Sequence, residues 1–441
     1  MLIRACLSLA LLVALPAWSQ VEPAATGGAP ADSTQMQTPP PVSGEPFPTV
    51  TASEERSNYL DPGLTVEASY NDNLLPYYAT NQISTMGYSI RPSIEFDKAT
   101  PRLHQKWTYD ASLTLYQDAT ARNAADQHAS LDLRYLLSPH LSISGRDTFE
   151  KGSNLFNQPS LGGPVSGSAS SSPTNDFAPF LDRLSNQANA GLSYQLSAYG
   201  MIGANFTTMT LQFPNQAQSG GLADSNSLGG SAFYNRQLTG TQYIGATYQY
   251  SGEEDSAAST QTTTHVNTVN LFYTVYLLNE LTLSISVGPQ HYEVTQSPLP
   301  PSAAWTPSVT GSVAWQGNQV NFAASYSRSV AGGGGLFGAF NTTMASASAR
   351  WRFARAWTVQ STVNYNLRKN VTPLFFSSES GGRSISGTAT LEHPLTEHLR
   401  ASFAYQRLHQ SYGGIAAIIG NPDSDRESIS ISYQFTRPLG R

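Results

Sequence analysis

Two histidine–serine pairs are the closest approach of this sequence to a catalytic site. His128 and Ser130 are separated by one residue, and His409 and Ser411 have the same spacing. A histidine can activate a serine nucleophile, but the nucleophile also requires that this base be oriented and that an oxyanion donor lie nearby. Because the chain has eight histidines and abundant serine, such matches also arise by chance. We therefore predict no catalytic residues and no enzymatic activity.

Metal-ligating side chains are equally sparse. The His-x₃-His spacing is absent, and His393 and His398 only flank a predicted turn. The acidic stretches Gly252–Asp255 and Asn71–Asn73 each open a predicted loop. Oxygen-rich clusters suit divalent cations, but neither stretch repeats a calcium-loop spacing, so solvated loops are the favoured interpretation. We predict neither a metal site nor a cofactor.

Charged residues at alternating positions are a stronger candidate for function. They lie on the polar faces of segments whose other face is apolar, which would direct them away from lipid and into a lumen. Charges of opposite sign that face each other can orient polar solutes in a pore; alternatively, they only neutralise each other and stiffen the wall. The candidate lumen residues are Glu67, Arg91, Glu95, Asp110, Asp132, Arg134, Arg350, Arg352 and Arg400.

The composition limits what kind of protein can carry these residues. Only 12% of the 441 residues are charged, which is about half the share in an ordinary soluble domain. The mean hydropathy is −0.28, and no long apolar run follows the N-terminus, so a bundle of membrane helices is excluded. With 24 Lys plus Arg against 30 Asp plus Glu, a nucleic-acid partner is not expected. A chain rich in aromatic residues, glycine, serine and threonine instead suits many β-strands.

The N-terminal part differs from the rest of the chain. Residues 1–19 combine Arg4, an apolar stretch and small residues before a cleavage point after Ser19, which is the pattern of a secretory signal peptide. Cys6, the only cysteine, lies within it, so the mature chain would have no disulfides. Residues 20–62 are rich in proline, alanine and acidic residues and lack hydrophobic spacing, which predicts a disordered periplasmic linker.

From residue 63 onward, apolar and polar residues alternate with the period of a β-strand. Many segments approach the ~9–11 residues that a tilted strand needs to cross a bilayer, and short turns alternate with long polar segments, as in an outer-membrane barrel. We predict 18 strands; because residues 201–212 and 227–238 alternate poorly, 16 is the alternative count. The predicted strands are 64–72, 85–96, 104–117, 127–137, 141–150, 186–197, 201–212, 227–238, 242–251, 264–277, 281–292, 304–316, 319–328, 341–353, 357–368, 383–393, 399–409 and 426–436.

A soluble β-sandwich also has one apolar face on each strand, so alternation alone does not identify a membrane barrel. Here the polar faces carry mostly Ser, Thr, Asn, Gln and Gly, and the strands are long for a sandwich. The tryptophans also mark strand ends, as in an aromatic girdle: Trp107, Trp315, Trp351 and Trp357 lie near short turns and Trp305 near a long loop. We predict an all-β, up-and-down antiparallel transmembrane barrel over residues 63–441.

The sequence resembles Gram-negative outer-membrane β-barrels of the porin type. The Tyr70–Asn73 segment is similar to the start of the beta-barrel porin family, a group of large uncharacterised bacterial barrels. Ser428–Phe435 resembles the C-terminal assembly signal of such proteins, although Thr436–Arg441 follow it here. The resemblance implies recognition by the barrel-assembly machinery and a place in the outer membrane among lipid and lipopolysaccharide.

Three functions remain open from the sequence, of which we favour the first. A barrel of 16–18 strands can leave an aqueous channel, which suits passage of small hydrophilic solutes. The barrel could instead be a non-conducting structural or export component of a polysaccharide or secretion system, with the linker binding a periplasmic partner. Finally, outer-membrane phospholipases carry a His-x-Ser pair on the lipid-facing wall, so a lipid hydrolase would depend on His128 or His409.

Overall fold

The fold is a closed antiparallel barrel of 18 long strands, which confirms the predicted class and count. A computed structural model describes residues 39–43, 58–73, 84–119, 123–153, 182–214, 222–257, 260–277, 280–297, 299–354, 356–371, 381–413 and 423–439. The strands are β1 Tyr59–Asn71, β2 Thr85–Ala99, β3 Leu103–Tyr116, β4 Ala124–Ser138, β5 Leu141–Gly152, β6 Arg183–Ser197, β7 Gly200–Gln212, β8 Asp224–Thr239, β9 Gln242–Ala257, β10 Thr260–Leu277, β11 Leu281–Gln296, β12 Ser302–Gln316, β13 Val320–Ala331, β14 Phe340–Arg352, β15 Thr358–Asn370, β16 Gly381–Pro394, β17 Leu399–Gly413 and β18 Asp423–Gln434. A two-residue strand, β19 Arg437–Pro438, follows β18 and also pairs with β1.

The barrel closes where β18 pairs with β1, from Gly63 opposite Gln434 to Asn71 opposite Arg426. Beyond the last pair, the Asp425 N–H donates to Asp72 Oδ1 at 2.7 Å, and Asn73 Nδ2 donates to the Asp423 carbonyl at 2.8 Å. The stretch Asn71–Asn73, predicted to open a solvated loop, therefore extends the closing seam. Its short polar side chains replace ladder bonds at the end of the strand.

The outer face of the barrel is apolar around its circumference. Alternate residues of most strands are large, exposed hydrophobics, such as Val66, Ile90, Leu271 and Ile431. All ladder hydrogen bonds between strands are internal to the closed sheet, which leaves no unpaired edge for lipid to cover. The chain thus spans a membrane with its strands. The predicted girdle tryptophans are also exposed: Trp107, Trp305, Trp315, Trp351 and Trp357.

The strands reach further at the long-loop end than the sequence pattern predicts. β9 and β10 remain paired up to Ala257 opposite Thr260, so the predicted loop over 251–264 is wrong. The Gly252–Asp255 stretch belongs to β9, where Glu254 faces outward and its neighbours Glu253 and Asp255 face the lumen. Polar residues above the bilayer are free to continue a β-ladder because neither face needs to meet lipid.

Both strands with weak alternation are present as β7 and β8, so the alternative count of 16 is wrong. Their pattern is weak because apolar side chains occur on both faces. Met201, Leu211 and Phe233 face the lumen and are buried there. Other parts of the same chain cover them, as described below.

The N-terminal region contributes a helical turn, α1 Pro40–Ser43, and the start of β1. The predicted disorder therefore does not extend to Pro39–Ser43, where Val42 packs against apolar side chains of the barrel. β1 begins at Tyr59, inside the predicted linker. The rest of the predicted linker and the predicted signal peptide lie outside the described residues. No helix in the described parts of the chain is long and apolar enough to cross a membrane.

Candidate functional site

The candidate site is the inner wall of the barrel. All nine predicted lumen residues lie on the face opposite the exposed hydrophobics; Glu67, for example, alternates with the exposed Val66 and is itself buried. Cross-strand register brings these positions into continuous rings, since directly opposite residues share a face. Their part in solute passage stays a prediction. The wall divides into a charged half, the inner faces of β14–β18 and β1–β6, and a polar half, those of β7–β13.

A buried ion-pair group lies at the closing seam of the charged half. Glu67 Oε1 accepts a hydrogen bond from Arg91 Nη2 at 3.0 Å and another from Arg426 Nη2. The side chains of Glu67 and Arg426 are only 9% and 3% exposed. Removing one partner from such a group leaves an uncompensated buried charge, so this part of the charged half serves the wall itself. Arg426 was missed by sequence analysis, although it shares the polar face of Ser428 and Ser430.

Further charges on β2–β5 are paired but more accessible. Lys106 Nζ lies 2.8 Å from Glu95 Oε1, and Arg146 donates to Asp132. Lys106 and Arg146 are additional lumen residues that sequence analysis missed, although both fall at alternating polar positions. The half-exposed Asp110 and the exposed Arg134 lie on the same surface. The pair of Arg183 Nη2 with Glu150 Oε1, at 2.7 Å, joins β6 to β5 and is largely buried.

Arginines dominate the inner faces of β14–β17 near the short-turn end. Arg350 and Arg352 lie two residues apart on β14, and Arg400 begins β17. Glu392 lies on β16, next to β17, with its Oε2 4.0 Å from Arg400 Nη1. The Arg400 side chain is half exposed, so its charge remains accessible to the lumen. We call Arg350, Arg352 and Arg400 the arginine group.

The polar half is lined mainly by serine, threonine, asparagine, glutamine and glycine. Within it, two aromatic rings lie against glycines on the neighbouring strand: Phe233 against Gly203 and Phe272 against Gly245. Gly203 lies directly opposite Phe233 in the ladder, and Gly245 lies directly opposite Phe272. A Cβ at either glycine would collide with the ring opposite it. The glycines therefore let the rings lie along the wall rather than project into the lumen.

These rings form a site for the N-terminal segment. Val42 is 4% exposed and packs in one cluster with Met201, Phe233, Tyr243 and Phe272. The adjacent Val42 carbonyl accepts a hydrogen bond from Asn205 Nδ2 at 3.3 Å. Pro39–Ser43 thus lies inside the barrel against the polar half, near the short turns that begin β7 and β9.

A second segment lies in the lumen near the long loops and contacts both halves of the wall. The glycine-rich stretch 332–339, between β13 and β14, turns inward, and positive φ angles occur at Gly334, Gly335 and Gly338. Its Leu336 is buried with the apolar side chains of several strands and loops. Those partners are Leu211, Phe213, Leu222, Phe340 and Tyr412. The predicted loop 329–340 is thus an internal segment, and the end of β13 belongs to it.

Polar contacts fix this inward segment. Glu253 Oε1 accepts the Gly334 N–H at 2.6 Å, and Arg368 Nη1 donates to the Gly333 carbonyl at 3.1 Å. The side-chain amide of Gln290 makes two hydrogen bonds with the backbone of Val330. Its Oε1 accepts from the Val330 N–H at 2.7 Å, and its Nε2 donates to the Val330 carbonyl at 3.0 Å. The segment is therefore held by backbone-directed bonds as well as by apolar burial.

Glu253 and its neighbour Asp255 form a buried carboxylate pair above the apolar band. Outward-facing Glu254 marks this level as outside the bilayer-spanning part of β9. Burial and the nearby charge of Glu253 raise the pKa of Asp255 well above its ordinary value. Burial also raises the pKa of Glu253, partly offset by the Gly334 N–H and the Ser225 hydroxyl. Folding therefore favours the neutral form of Asp255 relative to the unfolded chain.

The two histidine–serine pairs lie on opposite faces of the barrel. His128 and Ser130 face the lumen, and His128 Nδ1 is 3.8 Å from Asp110 Oδ2. His409 and Ser411 face outward, and His409 Nδ1 is 3.1 Å from Asp423 Oδ1. Within the described residues, no group of three His, Cys, Asp or Glu is placed to hold a metal ion.

Comparison with known proteins gives structural neighbours only. No family model matches the chain, and no curated protein matches its sequence. Among solved structures, OccK2 (OpdF) of Pseudomonas aeruginosa has a TM-score of 0.43 and 11% identity, covering 87% of this chain and 100% of that one. OccAB4 of Acinetobacter baumannii scores 0.40 at 10% identity, covering 87% and 100%. The FrpB iron transporter of Neisseria meningitidis scores 0.39 at 9% identity, covering 86% and 82%.

Proposed function

We propose that this protein is an outer-membrane channel for small hydrophilic solutes. The observation that carries the proposal is a lumen wall of polar and charged side chains inside a barrel wide enough to hold water. Barrels of 16–18 strands leave an aqueous channel unless something fills them, and the apolar exterior suits a lipid environment. The predicted export signal and the resemblance to porin-type barrels favour the outer membrane as that environment.

The two inward segments would narrow the path at different levels. Pro39–Ser43 lies on the polar half near the short turns, and the stretch 332–339 lies near the long loops, where it contacts Glu253 of the polar half and Arg368 and Tyr412 of the charged half. Near the short turns, solutes would then pass along the charged half, between the arginine group on one flank and the carboxylates of β2–β4 on the other. Such an arrangement imposes a transverse field on the solute path.

Planar-bilayer recording of the purified full chain tests this proposal. We expect stepwise conductance from protein that also shows heat-modifiable gel mobility, the signature of a folded barrel. A folded barrel that stays silent would overturn the channel and favour the non-conducting structural or export role. Blocking of the current by graded neutral sugars would then measure the width of the narrowed path.

A further inference from the structure

The outer wall holds a histidine, a serine and a carboxylate in a catalytic order. His409 and Ser411 lie two residues apart on the outward face of β17, and Asp423 lies opposite His409 on β18. Asp423 Oδ1 is 3.1 Å from His409 Nδ1. A carboxylate on Nδ1 fixes the ring and leaves Nε2 as the atom that can serve a hydroxyl on the same face.

The level of this group on the wall indicates the substrate. On the bilayer side of it, Phe403 and Ile429 are opposite each other and exposed in the apolar band. Between them and His409 lie the outward residues Glu427 and Arg407, and Arg407 Nη2 is 3.3 Å from Asp423 Oδ1. The group therefore lies above the apolar band at the level of polar headgroups, next to the ester bonds of membrane lipids.

Arg383 places a cation next to Ser411. Arg383 on β16 is directly opposite Ser411 in the ladder, so the two residues share the outward face. Arg383 is exposed at this position. A guanidinium beside a serine nucleophile can stabilise the negative charge that forms on a carbonyl oxygen.

We propose that His409, Ser411 and Asp423 hydrolyse fatty acyl esters of lipids in the leaflet at the long-loop end. Ser411 Oγ attacks the ester carbonyl while its proton passes to His409 Nε2, and Arg383 stabilises the oxyanion. Collapse of the intermediate breaks the ester C–O bond, and His409 returns the proton to the leaving alcohol. Water then attacks the acyl-serine with His409 as base, which releases the fatty acid and restores Ser411. Asp423 is a positioning residue for His409.

The inward pair, His128 and Ser130, lacks two features of the outward pair that lipid hydrolysis requires. Ser130 Oγ is 2.6 Å from Thr108 Oγ1 and faces the lumen, away from lipid. His128 lies 3.8 Å from its acid, beyond hydrogen-bond distance. Ser130→Ala is therefore the matched control for Ser411→Ala, because both remove a hydroxyl from a His-x-Ser pair on a strand.

The test measures fatty acid release by the purified full chain. One arm uses vesicles of phosphatidylethanolamine and phosphatidylglycerol, and the other uses micelles of purified lipopolysaccharide; the active arm identifies the lipid. We expect Ser411→Ala to lower release by about 10³-fold or more and Asp423→Asn by about 10²- to 10⁴-fold. Asp423→Glu should recover part of the activity, which a purely structural role would not predict. Ser130→Ala should match the wild type.

A fluorophosphonate probe gives a second readout that does not depend on choosing the right lipid. It should label wild-type protein at Ser411, as located by peptide mass spectrometry, and should fail to label Ser411→Ala. Heat-modifiable mobility of every variant shows that the barrel has folded. The proposal is overturned if neither lipid is hydrolysed and Ser411 is not labelled, or if Ser411→Ala remains active. Conductance plays no part in either readout, so the result is independent of the channel proposal.

Discussion

The two halves of the lumen wall differ in their side chains and in the segments that cover them. The charged half carries ion pairs and arginines. Near the long loops the stretch 332–339 covers part of it, at Arg368 and Tyr412, whereas near the short turns Arg352 and Arg400 are exposed to the lumen. The polar half carries apolar side chains among its serines and threonines, and the chain covers them with its own segments. Apolar surface in an aqueous lumen is costly, so the apolar side chains of the polar half are covered while the arginine group near the short turns stays open. We assign the width of the path to the polar half and charge selection to the charged half.

The strongest way to break this comparison is to release the N-terminal segment with Val42→Asp. A carboxylate in the cluster of Met201, Phe233 and Phe272 is far less favourable than valine, so the segment should leave the wall. We expect conductance to increase. The rate at which a water-soluble maleimide modifies a Val42→Cys thiol is an independent measure of burial. We expect this rate to be about ten-fold lower in the otherwise wild-type chain than in a Phe272→Ala background, where the apolar site is lost.

Val50→Asp is the matched control, since it places the same charge elsewhere in the linker and should leave conductance unchanged. Equal conductance in wild type and Val42→Asp would show that the segment does not narrow the path. The polar half would then not set the width.

A second change tests how the polar half makes its apolar site. In Gly245→Val, the new side chain would collide with the Phe272 ring and with the Tyr234 carbonyl. We expect a loss of roughly 1–3 kcal/mol in folding stability, as for overpacked cores, measured by urea unfolding in lipid. Gly311→Val is the control because a Cβ there meets nothing within 4 Å. Equal stability of the two variants would mean that the ring does not require the glycine.

The charged half is tested by replacing the arginine group with glutamine in Arg350→Gln/Arg352→Gln/Arg400→Gln. Removing these cations should raise the cation-to-anion permeability ratio roughly two- to three-fold, because less positive potential remains near the short-turn mouth. The reversal potential in a salt gradient measures the change. Selectivity that stays at the wild-type value would show that these residues lie off the path.

The smallest expected effect concerns pH and the stretch 332–339. The pKa of Asp255 is raised when the stretch 332–339 is packed in the lumen. This packed state is therefore most stable at low pH and loses stability as pH rises through that pKa. Hydrogen exchange at Gly333–Leu336 should therefore quicken with pH beyond its intrinsic chemical dependence. Asp255→Asn keeps a neutral side chain and should weaken this extra dependence, leaving the part that comes from Glu253. An unchanged dependence in Asp255→Asn would assign it to another group.

Much of the barrel follows from sequence alternation, but the covering of the lumen does not. Period-two spacing locates each strand because lipid rewards one apolar face, and the nine candidate lumen residues share the predicted face. The same rule weakens at β7 and β8, where Met201 and Phe233 place apolar groups on the inner side. Val42 packs against these two, and the distant stretch 332–339 packs against Leu211 of β7. No local pattern reveals such long-range contacts. The match between His409 and Asp423 likewise depends on strand register.

If one half of the wall sets the width of the path and the other sets charge selection, the two properties should change separately. Single-channel recording in a salt gradient measures conductance and reversal potential at once, on Val42→Asp and on the triple arginine variant. We expect Val42→Asp to raise conductance with little change in reversal potential, and the arginine variant to shift reversal potential with little change in conductance. Both variants changing the same quantity, or neither changing anything, would contradict this separation.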